Sequence, residues 1–108
     1  MTPDAELLRS IRAEFLEGRY RFTLHAVQEA TRDRTAVEDV VSAILDENAV
    51  IIEDYPEDAR GPSCLILGWT QSGSPLHLVV AYPPDPAVIT AYRPDPDKWV
   101  DYRTRREK

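Results

Sequence analysis

The sequence is poor in the residues that staple or anchor small proteins. Its single cysteine, Cys64, excludes an internal disulfide. That cysteine and the two histidines, His25 and His77, stand in no metal-ligand spacing, which argues against a structural zinc site. No metal and no cofactor are expected. No apolar run approaches the length of a membrane span, so no membrane association is expected. The opening stretch "MTPDAELLRS" lacks the basic and apolar regions of a signal peptide, and a cytoplasmic location is expected. Repeats, low-complexity tracts and linkers are also missing, so the 108 residues form one domain with one core.

Positive charge is scarce too. The net charge is −6 and the isoelectric point is near 4.8, which argues against broad, non-specific nucleic-acid binding. The deficit is uneven. Residues 1–62 carry seven arginines against fourteen acids, whereas residues 63–108 carry six cations against five acids. Charges are screened beyond roughly 8 Å at physiological salt, so a basic patch near the C-terminal end can still meet phosphate.

What is present is a soluble-globular composition, with 43% hydrophobic and 30% charged residues rather than the polar excess of a disordered chain. "TPDAELLRSIRAEFLEG" predicts a first helix. Thr2 suits the cap, Pro3 the first helical position, Asp4 and Glu6 the positive end of the dipole, and Gly18 the stop. Leu7, Leu8, Ile11 and Phe15 make its apolar stripe. "RYRFT" reads as a short strand or an extended lead-in. Thr23 then caps a helix over roughly 24–33, with Ala26 and Ala30 inward and His25, Glu29 and Arg32 on the other side. A third helix is predicted over roughly 36–47, burying Val37, Val40, Val41, Ile44 and Leu45.

The period then changes. "AVIIEDY" (49–55), "SCLILGWT" (63–70), "LHLVVAY" (76–82) and "AVITAYR" (87–93) read as four strands joined by turn-rich links. The short links favour antiparallel neighbours. The middle two strands are apolar at nearly every position, as expected of central strands covered on both faces. "DPDKWVDYRTRR" predicts a closing helix capped by Asp95 or Asp97. The expected fold is α+β: N-terminal helices, a four-stranded antiparallel sheet and a C-terminal helix.

The pieces "FTLHAVQEA", "LILGWTQSGSPLHLVVAY" and "ITAYRPDPDKW" resemble an uncharacterised bacterial family, a domain of unknown function. That family shows Thr-x-His-Ala, a "PLH-V-V" strand and an "ITAYRPD…W" close. The likeness covers about residues 20–106, leaving residues 1–18 as an extra N-terminal helix. The family in turn resembles the BrnT-like branch of the RelE/ParE-type toxins. The resemblance implies a toxin-like component of a toxin–antitoxin pair, with a metal-independent endoribonuclease as one form of it. It also implies a small antitoxin-like partner, of zinc-finger type in related cases, and RNA as a substrate. The alternative is a non-catalytic interaction module that binds such a partner or a regulatory protein.

Each candidate site residue has a plainer reading beside the functional one. The resemblance implies His25, Arg93 and Tyr92 as catalytic residues. His25, early in its helix, is a base or acid, or else a histidine packed beside the sheet. Arg93, held extended by Pro94, is a phosphate clamp, or else an ion-pair partner of Asp95 or Asp97. Tyr92 positions substrate, or else is a half-buried aromatic. Arg32 or Arg34 matches the arginine of the family's "ERGI"-like turn and would bind substrate, as would His77, whose apolar neighbours suit a hydrogen-bonded semi-core residue. Trp99 and Cys64 read as core.

Overall fold

The computed structural model describes residues 2–107. Helix α1 (Pro3–Leu16) starts where Thr2 accepts a hydrogen bond from the Ala5 N–H at 3.1 Å, and it buries Leu8, Ile11 and Phe15. Beyond α1 the chain turns at Gly18, whose φ of +75° suits a residue without Cβ. Strand β1 (Arg21–Phe22), α2 (Leu24–Arg32) and α3 (Val37–Leu45) follow, then β2 (Val50–Tyr55), β3 (Ser63–Trp69), β4 (Pro75–Ala81) and β5 (Ala87–Tyr92). Two short strands, β6 (Trp99–Val100) and β7 (Thr104–Arg105), close the chain. No helix among the described residues is long and apolar enough to cross a membrane.

One sheet has the order β1-β5-β4-β3-β2. The two most apolar strands, β3 and β4, lie inside it and pair antiparallel, as their composition predicts. The three helices cover one face. Ile11, Phe15, Ala26, Ala30, Val40, Ala43 and Ile44 pack there against Ile66, Leu78, Val80, Val88 and Ala91. Burying one such aliphatic side chain contributes about 1.5–3 kcal/mol. Gly68 sets how closely α3 approaches: a Cβ on it would lie 2.0 Å from the Ala43 carbonyl oxygen.

The expected fold is corrected in two places. The sheet is not a four-stranded antiparallel one. It has five strands and is mixed, because β1 pairs parallel with β5, with Arg21 opposite Ala87 and Phe22 opposite Val88. Link length could not reveal this pair, since nearly the whole core lies between its strands. There is also no C-terminal helix among the described residues, so the arrangement expected from the likeness to RelE and BrnT toxins does not form. Asp95 does start a turn, accepting at its backbone oxygen from the Lys98 and Trp99 N–H groups at 2.9 and 3.1 Å. One turn later the chain extends into the hairpin β6–β7, reversing through Asp101 and Tyr102 at φ 55° and 62°. Tertiary contact overrides local helical preference here: only an extended hairpin lays Trp99 and Arg105 against the sheet.

Candidate functional site

The sheet face opposite the helices is divided in two. Alternation along the strands puts Glu53 and Tyr55, Ser63, Leu65 and Leu67, His77, Val79 and Ala81, and Thr90 and Tyr92 on this face. The C-terminal hairpin covers one half, and the other half is an open cleft.

In the covered half His77, Tyr92, Glu53 and Arg105 hydrogen-bond one another or the backbone. The buried His77 ring lies edge-on to Trp99, with centroids 4.4 Å apart. Its Nε2 lies 2.6 Å from the Tyr102 carbonyl oxygen and its Nδ1 lies 3.1 Å from the Tyr92 hydroxyl. A carbonyl can only accept, so Nε2 carries the proton and Nδ1 accepts from Tyr92. Burial holds the imidazole below its ordinary value, outweighing the Tyr102 carbonyl and the Glu53 charge, so His77 stays neutral. Burial likewise raises the Tyr92 hydroxyl. Arg105 grips Glu53 through Nε at 2.9 Å and Nη2 at 3.1 Å, and its guanidinium sits 4.7 Å from the centre of the Trp99 ring. Burial would raise the Glu53 carboxyl, but the hydrogen bonds from Arg105 and Tyr55 hold it below its usual range.

The open half is a cleft of about 480 Å³. Val79, Ala81 and Ile89 give it an apolar floor, and Tyr55, Ser63 and Thr90 line it as well. One wall is the loop carrying Asp58 and Arg60, and the other is the start of α2 with Thr23 and His25. Burial and the hydrogen bond to Glu53 push the Tyr55 hydroxyl up to about 12, so it is never ionised near neutral pH.

The placement of His25 follows from how α2 covers the sheet. Strand β1 stops after Phe22, leaving the outer edge of β5 unpaired beyond it. Thr23 caps α2 by accepting from the Ala26 N–H and donates to the Ile89 carbonyl at 3.0 Å. Further on, Glu29 Oε1 accepts from the Ala91 N–H at 3.0 Å and Asp33 Oδ2 from the Arg93 N–H at 3.2 Å. Carboxylates four residues apart on a helix advance about 6 Å, close to the roughly 6.6 Å between alternate strand residues. The two acids therefore finish the hydrogen bonding of the sheet edge. His25 continues the same row one turn earlier. Its Nε2 lies 3.3 Å from Glu29 Oε1, and its side chain is 63% exposed beside the cleft. An acceptor-only carboxylate favours the proton on Nε2 and leaves Nδ1 free to take another.

The structure brings some candidates together and separates others. His77 and Tyr92 are hydrogen-bonded, but to each other, in the covered half. Arg93 is exposed, and among the described residues its guanidinium forms no ion pair with Asp95, Asp97 or any other acid. Its backbone is fixed beyond the far end of α2, about 12 Å of helix from His25. Arg32 and Arg34 flank Asp33 at that same end. Arg34 has φ 55° and donates to the Thr31 carbonyl while Thr35 donates to Ala30, the left-handed helix stop that glycine usually takes. Sequence reasoning missed Arg60 and Ser63. The available signals were an arginine beside a Gly-Pro turn and a lone hydroxyl opening an otherwise apolar strand. Among the described residues no cluster of three or more His, Cys, Asp or Glu side chains is arranged to hold a metal ion.

Residues 22–93 match the sequence model of a family described as "Domain of unknown function (DUF4258)". The chain belongs to this family. The DUF4258 region runs from the end of β1 to the residue after β5, so it includes every wall of the open cleft and stops short of the hairpin. Searches against curated proteins and against solved structures give no match.

Proposed function

We propose that the protein is a toxin-like ribonuclease that cuts RNA at the open cleft by a route needing no metal. The observation that carries this reading is the His25–Glu29 pair on the rim of a cleft that Arg60 also lines. In such a reaction the ribose 2′-oxygen attacks the adjacent phosphorus, the bond from phosphorus to the 5′-oxygen breaks, and a cyclic 2′,3′-phosphate and a free 5′-hydroxyl result. His25 Nδ1 takes the proton of the attacking hydroxyl while Glu29 steadies the imidazolium. Arg60 meets the added negative charge on the phosphate. The leaving oxygen takes its proton from the imidazolium or from water. Tyr92 positions nothing in this scheme, because its hydroxyl is given to His77. Arg32, Arg34 and Arg93, at the far end of α2, meet phosphates further along the strand. The Thr-x-His-Ala and "ITAYRPD…W" pieces resemble a family that in turn resembles BrnT-like and RelE-type toxins, and this likeness supports the same reading, with a small antitoxin-like protein as partner.

One observation favours a second reading, that of a non-catalytic module for such a partner. Leu16 and Leu24 are each 73% exposed, and Val27 and Val37 are exposed near them in the chain. The test is expression of the chain without any partner, together with incubation of the purified protein with single-stranded RNA in a metal chelator. The ribonuclease reading expects growth arrest and cyclic-phosphate ends, both lost in His25→Ala. A wild type that leaves cells growing and RNA intact transfers the function to the interaction module.

A further inference from the structure

A buried hydroxyl in the cleft points to what the cleft holds. Ser63 is only 2% exposed, yet it lines the cleft. Its hydroxyl makes no hydrogen bond among the described residues, and no fully sealed side-chain oxygen or nitrogen is left unpaired. The hydroxyl therefore opens into the cleft as a donor and acceptor with no partner of its own. Open to the cleft and free of protein partners there, it can exchange water for a ligand atom that matches its hydrogen bonding. Around it the surface changes character with depth. The floor of Val79, Ala81 and Ile89 is apolar, and Tyr55 adds an aromatic side chain. Arg60 and the imidazole of His25 stand at the rim, with side chains 91% and 63% exposed.

We infer that the cleft takes one nucleotide base-first: the base rests on the apolar floor beside Tyr55, the Ser63 hydroxyl bonds its edge, and the phosphate stays at the rim. A nucleobase is the ligand chemistry that joins a flat, largely apolar face to a polar edge and carries a phosphate on one side only. Such a base must be unpaired and unstacked, so the substrate class is single-stranded RNA. This inference rests on the ribonuclease reading for its polymer, while the seat itself is testable without cleavage.

The test is calorimetric titration of the full chain with the four nucleoside 3′-monophosphates, ribose 5-phosphate and inorganic phosphate. The nucleotides should bind at least about tenfold more tightly than the two probes without a base, since stacking a base contributes roughly that or more. Ser63→Ala should weaken the preferred nucleotide roughly threefold to tenfold, the value of one hydrogen bond, and flatten the ranking of the four bases. Its melting temperature should hold. Ala81→Leu, which fills the floor instead, should weaken all four nucleotides together and leave inorganic phosphate unchanged. Ribose 5-phosphate binding as well as the nucleotides, or Ser63→Ala keeping both affinity and ranking, would overturn the seat even if RNA is cut. Nucleotides bound as expected while RNA stays intact would overturn the ribonuclease reading and leave the seat standing.

Discussion

Two halves of one sheet face carry similar side chains and put them to opposite uses. Each has a histidine, a tyrosine, an acid and an arginine. In the half under the hairpin, His77, Tyr92, Glu53 and Arg105 satisfy one another or the backbone, and Trp99 seals them. In the open half, among the described residues, His25 and Arg60 each face one acid at 3.3 and 3.5 Å, and the Ser63 hydroxyl makes no hydrogen bond. A polar residue on a sheet face is thus no sign of a site in itself. What separates structure from candidate chemistry is whether its hydrogen-bonding capacity is already used.

The comparison can be broken by substitution, and the effects should fall in order. Trp99→Ala removes the side chain that holds the hairpin down and should cost about 3–5 kcal/mol, read by denaturant unfolding. Tyr92→Phe leaves His77 Nδ1 as a buried acceptor without a donor and should cost about 1–3 kcal/mol in the same assay. Acid should loosen the covered half as well. The folded chain keeps His77 neutral while the unfolded chain takes up a proton near 6.5, so the unfolded state binds more protons as pH falls. Stability should be level above about that pH and decline below it, down to the lowered folded value. The groups facing this ring are Tyr92, the Tyr102 carbonyl, Glu53 and Arg105, and only the histidine changes charge in that window. Melting at about pH 7.5 and about pH 5.5 should differ in the wild type and differ less in His77→Gln. Arg105→Ala should cost about 1 kcal/mol, because the guanidinium end of the pair is 64% exposed to solvent. His25→Ala and Arg60→Ala come last in stability, within about 0.5 kcal/mol.

Much of this fold was legible in the sequence. Apolar period, capping residues and turn chemistry place α1, α2, α3 and β2 to β5 within a few residues of their observed ends. The strand pair β3–β4 is legible because Leu65, Leu67 and Leu78 leave no polar face for an edge strand. Two elements were not. Strand β1 spans only two residues, too few to show a period, and its partner is far along the chain. The hairpin turn uses Asp101 and Tyr102 where a reader expects Asn-Gly or Asp-Gly, so "DKWVDYRTRR" keeps the look of a helix. The site is legible by halves. His25 is marked by its place after a capping threonine, with Glu29 four residues on. Tyr92 and His77 attract notice for the same reason that makes them structural: each is a polar residue in an apolar strand, and only the register shows that they face each other. Arg60 and Ser63 belong to a turn and a strand end, whose nearness to α2 is set by the tertiary fold.

The comparison of halves is tested most directly by assaying two purified variants side by side, His25→Ala and Tyr92→Phe, for cleavage of single-stranded RNA and for melting temperature. The account predicts that His25→Ala melts with the wild type and loses activity by about a hundredfold or more, as removal of a general base does. It predicts that Tyr92→Phe melts lower and, where it is folded, cuts RNA at the wild-type rate. A Tyr92→Phe protein that melts normally and is inactive, beside a His25→Ala protein that still cuts, would contradict it.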